Sequence, residues 1–477
     1  MNSAENEAPV LREKVKLSSR MWLGGAGCMI STLCNIITGG GLTFFFINYM
    51  GLSEGLSALC WILFGIWNAV NDPIFGWLSD KTKSKLGRRI PYIRYGSLMI
   101  AVVYILSWFT FPGESQIGMF FQMFFSLFFF DALYTAIATS LYVMPYEMAI
   151  TNEARGKILL VTLIFNLGSV SVPLVLLAEL KKLLTNSLHE FQLTMIIIGV
   201  VAGIIMFLST FFYKESTYAQ KEEQYPFLKS IGYCFKNKSF IVFEVISFTV
   251  TFVQTALFIG ITYYFGAFDL NYIYCYIALF VGVALGLSLW LTVGLKKWGV
   301  KKSILIMCLV FIASSIVMIA FGKFLVGGMV AFLGVGFALS GGLYMVPLMN
   351  GDVIDYDEHT SGLRREGMYA GVNSFICKPA ISIANAAFPL MIVSFGYDKT
   401  IDLINQTNLA KFGIIFSWFI IPLVLFILSY VLIKIFYPLY GEKWDLIKAS
   451  LTKKHEDKQK EYEMNVLKQI KEEGLEE

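Results

Sequence analysis

Charge is scarce in this chain: Asp, Glu, Lys and Arg make up only 15% of its 477 residues, whereas a soluble domain carries about a quarter. A surface with so little charge faces something other than water. The formal net charge of +4 is too small to argue for nucleic acid as a partner. Histidine is scarcer still, with His189, His359 and His455 in separate loops or the tail and no His-box or nucleophile motif around them. That argues against a membrane-embedded enzyme. Cysteine is present, as Cys28, Cys34, Cys60, Cys234, Cys275, Cys308 and Cys377, but without a CxxC or Cys/His cluster. Neither a zinc site nor a disulfide framework is indicated, and no metal is expected beyond Na⁺. The segment Met1 to Arg20 lacks the apolar core and cleavage site of a signal peptide, so the first apolar span is expected to remain in the mature protein. No re-entrant filter sequence of the kind channels repeat is present.

What fills the chain is apolar: 56% hydrophobic and 16% aromatic residues, with a mean hydropathy of +0.65. Runs of about 20 apolar residues fall near 21–49, 56–79, 91–111, 116–145, 157–179 and 191–213, then near 239–266, 273–296, 302–322, 325–349, 369–395 and 411–436. The expected fold is an all-α membrane protein with twelve transmembrane helices in two six-helix bundles. Its boundaries are 1–213 for the first bundle, 214–238 for a cytoplasmic linker containing Lys221, Glu222 and Glu223, 239–440 for the second bundle, and 441–477 for a charged cytoplasmic tail. The connections at 50–55, 112–115 and 267–272 carry no Lys or Arg, while the intervening loops are basic. This asymmetry places both termini in the cytoplasm. A short echo, Leu141-Tyr-Val-Met-Pro145 against Leu343-Tyr-Met-Val-Pro347, favours duplicated halves, the arrangement in which transporters place substrate at the repeat interface.

Ionisable residues inside spans are few, and each is a functional candidate because lipid penalises charge. The second span holds Asn68, Asn71 and Asp72, a carboxylate with two amides within two helical turns. Such a hard-oxygen cluster can ligate Na⁺, or its carboxylate can carry a proton; the competing reading is an Asp that only holds helices together. Lys378, followed by Pro379, lies too deep in the eleventh span to snorkel, and is either a coupling charge or half of a structural ion pair. Asp131 of the fourth span either faces a cavity or caps a break. Glu244, near the start of the seventh, is expected to reach the interface. Two loops combine acids and bases: Asp80 through Arg88 and Arg89 after the second span, and Asp352, Asp355, Glu358, Arg364 and Arg365 after the tenth. Their order points to a cytoplasmic gate that locks one of two rocking states, although the basic residues alone would satisfy membrane topology.

The segments Trp67-Asn-Ala-Val-Asn-Asp72-Pro-Ile-Phe-Gly76-Trp-Leu-Ser-Asp80, Pro145-Tyr146 and Asp352-Val-Ile-Asp355-Tyr-Asp-Glu358…Gly362-Leu-Arg364-Arg-Glu-Gly367…Lys378 resemble the glycoside–pentoside–hexuronide:cation symporter family, typified by melibiose permease, within the major facilitator superfamily. The resemblance spans nearly the whole chain. It implies a cation site on Asn68, Asn71 and Asp72, a coupling role for Lys378 facing the second helix, H⁺ or Na⁺ as the coupling ion, and no other cofactor. Asp131, Tyr134, Tyr142 and Tyr344 are then candidates for the substrate cavity. Asn68 stands where melibiose permease has a second carboxylate, and the first span, Met21 to Tyr49, carries no charge. The sugar-binding acids of that permease therefore lack counterparts. The expected activity is symport of a sugar or glycoside across the plasma membrane by a monomer in the lipid bilayer, with a lysolipid or other amphiphile as the alternative substrate.

Overall fold

The computed structural model describes residues 15–109, 115–149, 151–166, 168–169, 187–215, 226–268, 272–398, 401–455 and 457. The expected stretch 170–179 of the fifth span, the run Lys221, Glu222, Glu223 and the tail beyond 457 lie outside these residues. The described chain is helical. α1 (Leu17–Ile36) continues through π-helical turns at Ile37–Gly41 and Phe45–Tyr49. It is followed by α2 (Glu54–Lys81), α3 (Ile90–Leu106), α4 (Gln116–Met148), α5 (152–166) and α6 (Leu188–Ser209). After a short helix at Phe227–Lys236 come α7 (Lys238–Phe268), α8 (Tyr272–Leu289), α9 (Gly299–Phe321), α10 (Leu325–Ser361), α11 (Glu366–Ser394) and α12 (Asn408–Phe436). Among the described residues, seven segments are long and apolar enough to cross a membrane; one of them, Tyr274–Phe321, holds both the eighth and ninth expected spans. The order of elements is that of the twelve expected spans.

The ends of these helices follow from local chemistry. Ser115, Ser187 and Thr407 each accept a hydrogen bond from the backbone N–H three residues on, capping α4, α6 and α12. Pro91 sits in the first turn of α3, where a missing N–H costs nothing. Interior prolines at Pro73, Pro145, Pro347 and Pro422 are tolerated within α2, α4, α10 and α12, because neighbouring helices re-satisfy the freed carbonyls.

The chain divides into two compact units: Met1–Ile231 with Glu358–Val372 and Ile447–Glu477, and Gly232–Asp357 with Asn373–Leu446. In the first unit α2 packs on α4, α3 on α4 and α6, and α1 on α6, around a core that includes Leu23, Ile30, Leu33, Met123, Leu127 and Phe130. In the second unit α12 packs against α7 and α9.

Helical periodicity sorts each span into an outer and an inner face. On α2, Ile62, Ile66, Val70, Ile74 and Leu78 recur every four residues and are exposed, forming a stripe for lipid. Asn71, Asp72, Ser79 and Asp80 fall on the buried side. On α4, the exposed Phe121, Phe125 and Phe129 stack on one another along one face, and Asp131 lies on the other, buried.

The inner face of α2 comes very close to the start of α11 within the first unit. A Cβ on Gly76 would overlap the Gly367 carbonyl, and one on Gly371 would overlap the backbone of Asp72 and Pro73. Backbone cannot retreat as a flexible side chain can. Gly76→Ala should therefore destabilise the protein by about 1–3 kcal/mol. Gly65→Ala on the same helix meets nothing within 4 Å, and should be neutral or slightly stabilising; thermal unfolding of the detergent-purified pair checks the contrast.

Candidate functional site

Within the first unit the sequence-predicted cation residues meet the fourth helix. Asn71 is fully buried, and Asp72 and Asp131 nearly so. The Asn71 amide nitrogen donates to Asp131 Oδ2 and to Thr135 Oγ1, the latter at 3.1 Å. An ionised carboxylate can only accept, so the partnership itself fixes the orientation of the amide and leaves Asn71 Oδ1 on its other side. That oxygen is buried and accepts no hydrogen bond among the described residues. Tyr134, one position before Thr135, lies within electrostatic reach of both Asp72 and Asp131 and bonds to Cys34 of α1. Asn68, one turn earlier on α2, is half-buried. Tyr142 is exposed and packs edge-on against Tyr146.

At the ends of the helices a second cluster is assembled from the same unit. Asp80 pairs with Arg89, and its carboxylate also accepts the backbone N–H groups of Gly367 (3.0 Å) and Met368 (2.7 Å). These are free donors at the positive end of α11. Arg88, with no exposed surface, bonds Glu147 at 2.6 Å, Glu366 at 3.1 Å and the Arg364 carbonyl at 3.3 Å. Arg364 in turn bonds Glu366 at 2.5 Å and the Tyr146 carbonyl at 3.1 Å. From the C-terminal segment, His455 places Nε2 at 2.5 Å from Glu358 and Nδ1 at 3.3 Å from Arg364. Of the predicted gate residues, Asp80, Arg88, Arg89, Glu358 and Arg364 are thus brought into one network, with Arg365 buried beside them in sequence. Glu366, part of the charged run after the tenth span, joins them, and Glu147, Glu215 and His455, which sequence reasoning did not single out as gate residues, complete the network.

Glu215 shows how the loop after α2 is held. Its carboxylate accepts the Arg89 backbone N–H at 2.9 and 3.1 Å and fills the space where a Gly87 side chain would stand. Gly87 itself has φ 116°, a conformation that only glycine adopts without strain. Burial, reinforced by the Glu147 charge and opposed by the Arg89 hydrogen bond, pushes the Glu215 carboxyl up to about 7.

The second unit holds Asp352, Asp355, Tyr344 and Lys378. Asp352 and Asp355 are buried, and both act on Tyr437; Tyr344 is buried, and Lys378 is half-buried on α11. Glu244 departs from its expected interfacial position. It is buried, and the Asn373 amide donates to both of its oxygens at 3.3 and 3.2 Å and to Ser247 at 2.9 Å. Glu244 lies nearly two turns inside α7, which begins at Lys238, and tertiary packing supplies its partner.

Two measurements check these environments. Arg88→Ala removes the cation that bridges the buried Glu147 and Glu366, leaving them only Arg89 and Arg364, and should cost about 3–5 kcal/mol, whereas removing the exposed pair Lys157–Glu153 should cost less than about 1 kcal/mol. For Glu215, a folded-state pKa raised above the unfolded value means the folded protein binds the extra proton between about 4.5 and about 7. Stability contributed by this group is therefore lost as pH rises through that window. Glu215→Gln should unfold with a flatter pH dependence than the parent between those values, by thermal unfolding in detergent.

The family model described as MFS/sugar transport protein matches residues 23–441. The chain is 27% identical to the uncharacterized symporter YnaJ of Bacillus subtilis (strain 168), over 84% of this chain and 88% of that protein. It is 25% identical to the isoprimeverose transporter of Lactiplantibacillus pentosus, over 75% and 76%. Among solved structures, the fold is similar to a double-Trp variant of XylE, with TM-score 0.59 and 14% identity over 91% of this chain and 98% of that one. It is also similar to FucP in its outward conformation, with TM-score 0.58 and 14% identity over 87% and 97%. The chain belongs to the MFS/sugar transport protein family and is a multi-pass membrane transporter, not an enzyme.

Proposed function

We propose that this protein is a secondary active transporter that couples uptake of a neutral sugar or glycoside to a monovalent cation by alternating access, in the plasma membrane with both termini in the cytoplasm. The observation that carries the reading is Asp72: a carboxylate buried in a lipid-crossing helix, next in sequence to the buried Asn71. Lipid makes such a charge expensive, so a site that binds and releases H⁺ or Na⁺ there converts the cation gradient into a change of conformational preference. Lys378 is the coupling charge that the family resemblance implies.

The substrate follows from similar considerations. The span Met21–Tyr49 has no charged residue to pair with an ionic solute, and aromatic faces suit the apolar side of a sugar ring. One relative is an isoprimeverose transporter, which favours a neutral glycoside. The buried network of Asp80, Arg88, Arg89, Glu147, Glu358, Arg364 and Glu366 acts as a cytoplasmic latch that holds one conformation and exchanges its partners for water in the other.

Uptake of labelled isoprimeverose and other neutral glycosides into proteoliposomes, with Na⁺ and pH gradients imposed separately, tests the reading. Accumulation against a gradient is expected, and Asp72→Asn should reduce it to the level reached by simple equilibration, with the protein still folded and inserted. Accumulation of a lysophospholipid in place of glycosides would reassign the substrate. Undiminished accumulation by Asp72→Asn would remove Asp72 from the coupling site.

A further inference from the structure

Between α2, α3 and α4 of the first unit lies a groove of about 310 Å³ that neither the predicted cation residues nor the charged network uses. Phe75 of α2 and Tyr92, Tyr95 and Met99 of α3 form its walls, and the three- and four-residue spacing on α3 keeps those side chains on one helix face. Its floor is Gly96, Ala132 and Ala136, residues too small to fill the space where three helices meet. From Pro91 to Met99 the groove follows α3 for about 12 Å. Tyr95 and Met99 are more than half exposed, so the groove opens sideways, toward lipid.

The two ends of this groove differ in chemistry. Deep in the span its lining is apolar. At the helix ends it is closed by Thr82 and Tyr92. The Thr82 hydroxyl donates to the Leu78 carbonyl at 2.9 Å, which commits the Tyr92 hydroxyl to donate to Thr82 at 2.7 Å. Around Thr82 the chain is cationic, with Lys81, Lys83 and Lys85 all exposed. Lys81 stands over the Trp77 ring at 4.9 Å, and the nearest acid along the chain, Asp80, is committed to Arg89. Membrane topology accounts for lysines in such a loop, but not for an apolar groove that ends at them.

We infer that this groove is a binding site for one anionic phospholipid, with an acyl chain lying along α3 and the phosphate among Lys81, Lys83 and Lys85. A sugar would leave its hydroxyls unpaired against the apolar lining. A zwitterionic lipid fills the groove as well but gains less from the lysines. Occupancy ties α2, α3 and α4 together at the end that carries Arg88 and Arg89.

The inference stands apart from the transport reading, and its test measures binding rather than uptake. Full-length protein in detergent is titrated with dioleoyl phosphatidylglycerol or dioleoyl phosphatidylcholine in mixed micelles. The unfolding temperature and the lipid retained in native mass spectra are followed. A saturable rise with one retained lipid is expected, half-complete at about tenfold less phosphatidylglycerol than phosphatidylcholine. Lys83→Gln combined with Lys85→Gln should bring the two lipids within about threefold of each other, whereas Lys157→Gln, at an exposed lysine of α5, should leave the preference intact. Ala132→Leu fills the floor and should raise both half-saturation values about tenfold. If that variant does not fold, Met99→Ser on the exposed rim takes its place, with a rise of about threefold expected for both lipids.

Equal affinity for the two lipids, or a preference that survives the loss of Lys83 and Lys85, would overturn the site. So would parental binding by the groove variant, which would leave the lysines as a diffuse charge on the surface.

Discussion

Arg88 is buried completely, and it survives there only because Glu147 at the end of α4 and Glu366 at the start of α11 meet it at 2.6 and 3.1 Å. Much of the first unit is arranged around that requirement. Glu366 also holds Arg364, Arg364 reaches the carbonyl of Tyr146, and Asp80 closes the far side by taking Arg89 and the free N–H groups of Gly367 and Met368. Such a network contributes little net stability, since the desolvation of each charge offsets much of the attraction. For a transporter that is an advantage. A seal made of apolar side chains loses its whole burial energy on opening, whereas ions that leave one another for water recover most of theirs. The cluster can therefore be specific in its geometry while adding little to the net stability of the fold.

That geometry also depends on close backbone approach. Gly76 faces the Gly367 carbonyl and Gly371 faces the backbone of Asp72 and Pro73, so α2 and the start of α11 touch at the level of main-chain atoms. Association of helices in lipid lacks a hydrophobic driving force and relies on such small-residue contacts and on polar pairs. Here the two devices lie on one face: the glycines bring the helices within reach, and Asp80 then caps the neighbour.

Much of this was legible in the sequence. Apolar runs marked the helices, and the rarity of charge inside them singled out Asp72 and Asp131. The pairing of Asp80 with Arg89 spans only nine positions, within the range where order along the chain implies proximity. What sequence could not reveal were partners brought together by tertiary packing. Glu147 stands 59 positions from Arg88, Glu358 97 from His455, and Glu215 126 from Arg89, and nothing in local spacing joins them. An acid at the end of an apolar span, as in Pro145-Tyr146-Glu147, was the one available signal. Glu244 was misplaced for a different reason: its position was judged from the start of the apolar run, while α7 packs it against α11, where Asn373 donates to its carboxylate.

Asp131 on α4 is tied to α2 by the side chain of Asn71. The Asn71 nitrogen donates to both Asp131 and Thr135, so the packing of the two helices carries a polar contact inside the first unit. A second acid at Asn71 would have repelled Asp131, and an apolar residue would have removed this donor from the carboxylate. The same helix ends in Asp80, which takes the backbone N–H groups of Gly367 and Met368, so α2 is fixed by polar contacts to α4 along its length and to α11 at its terminus.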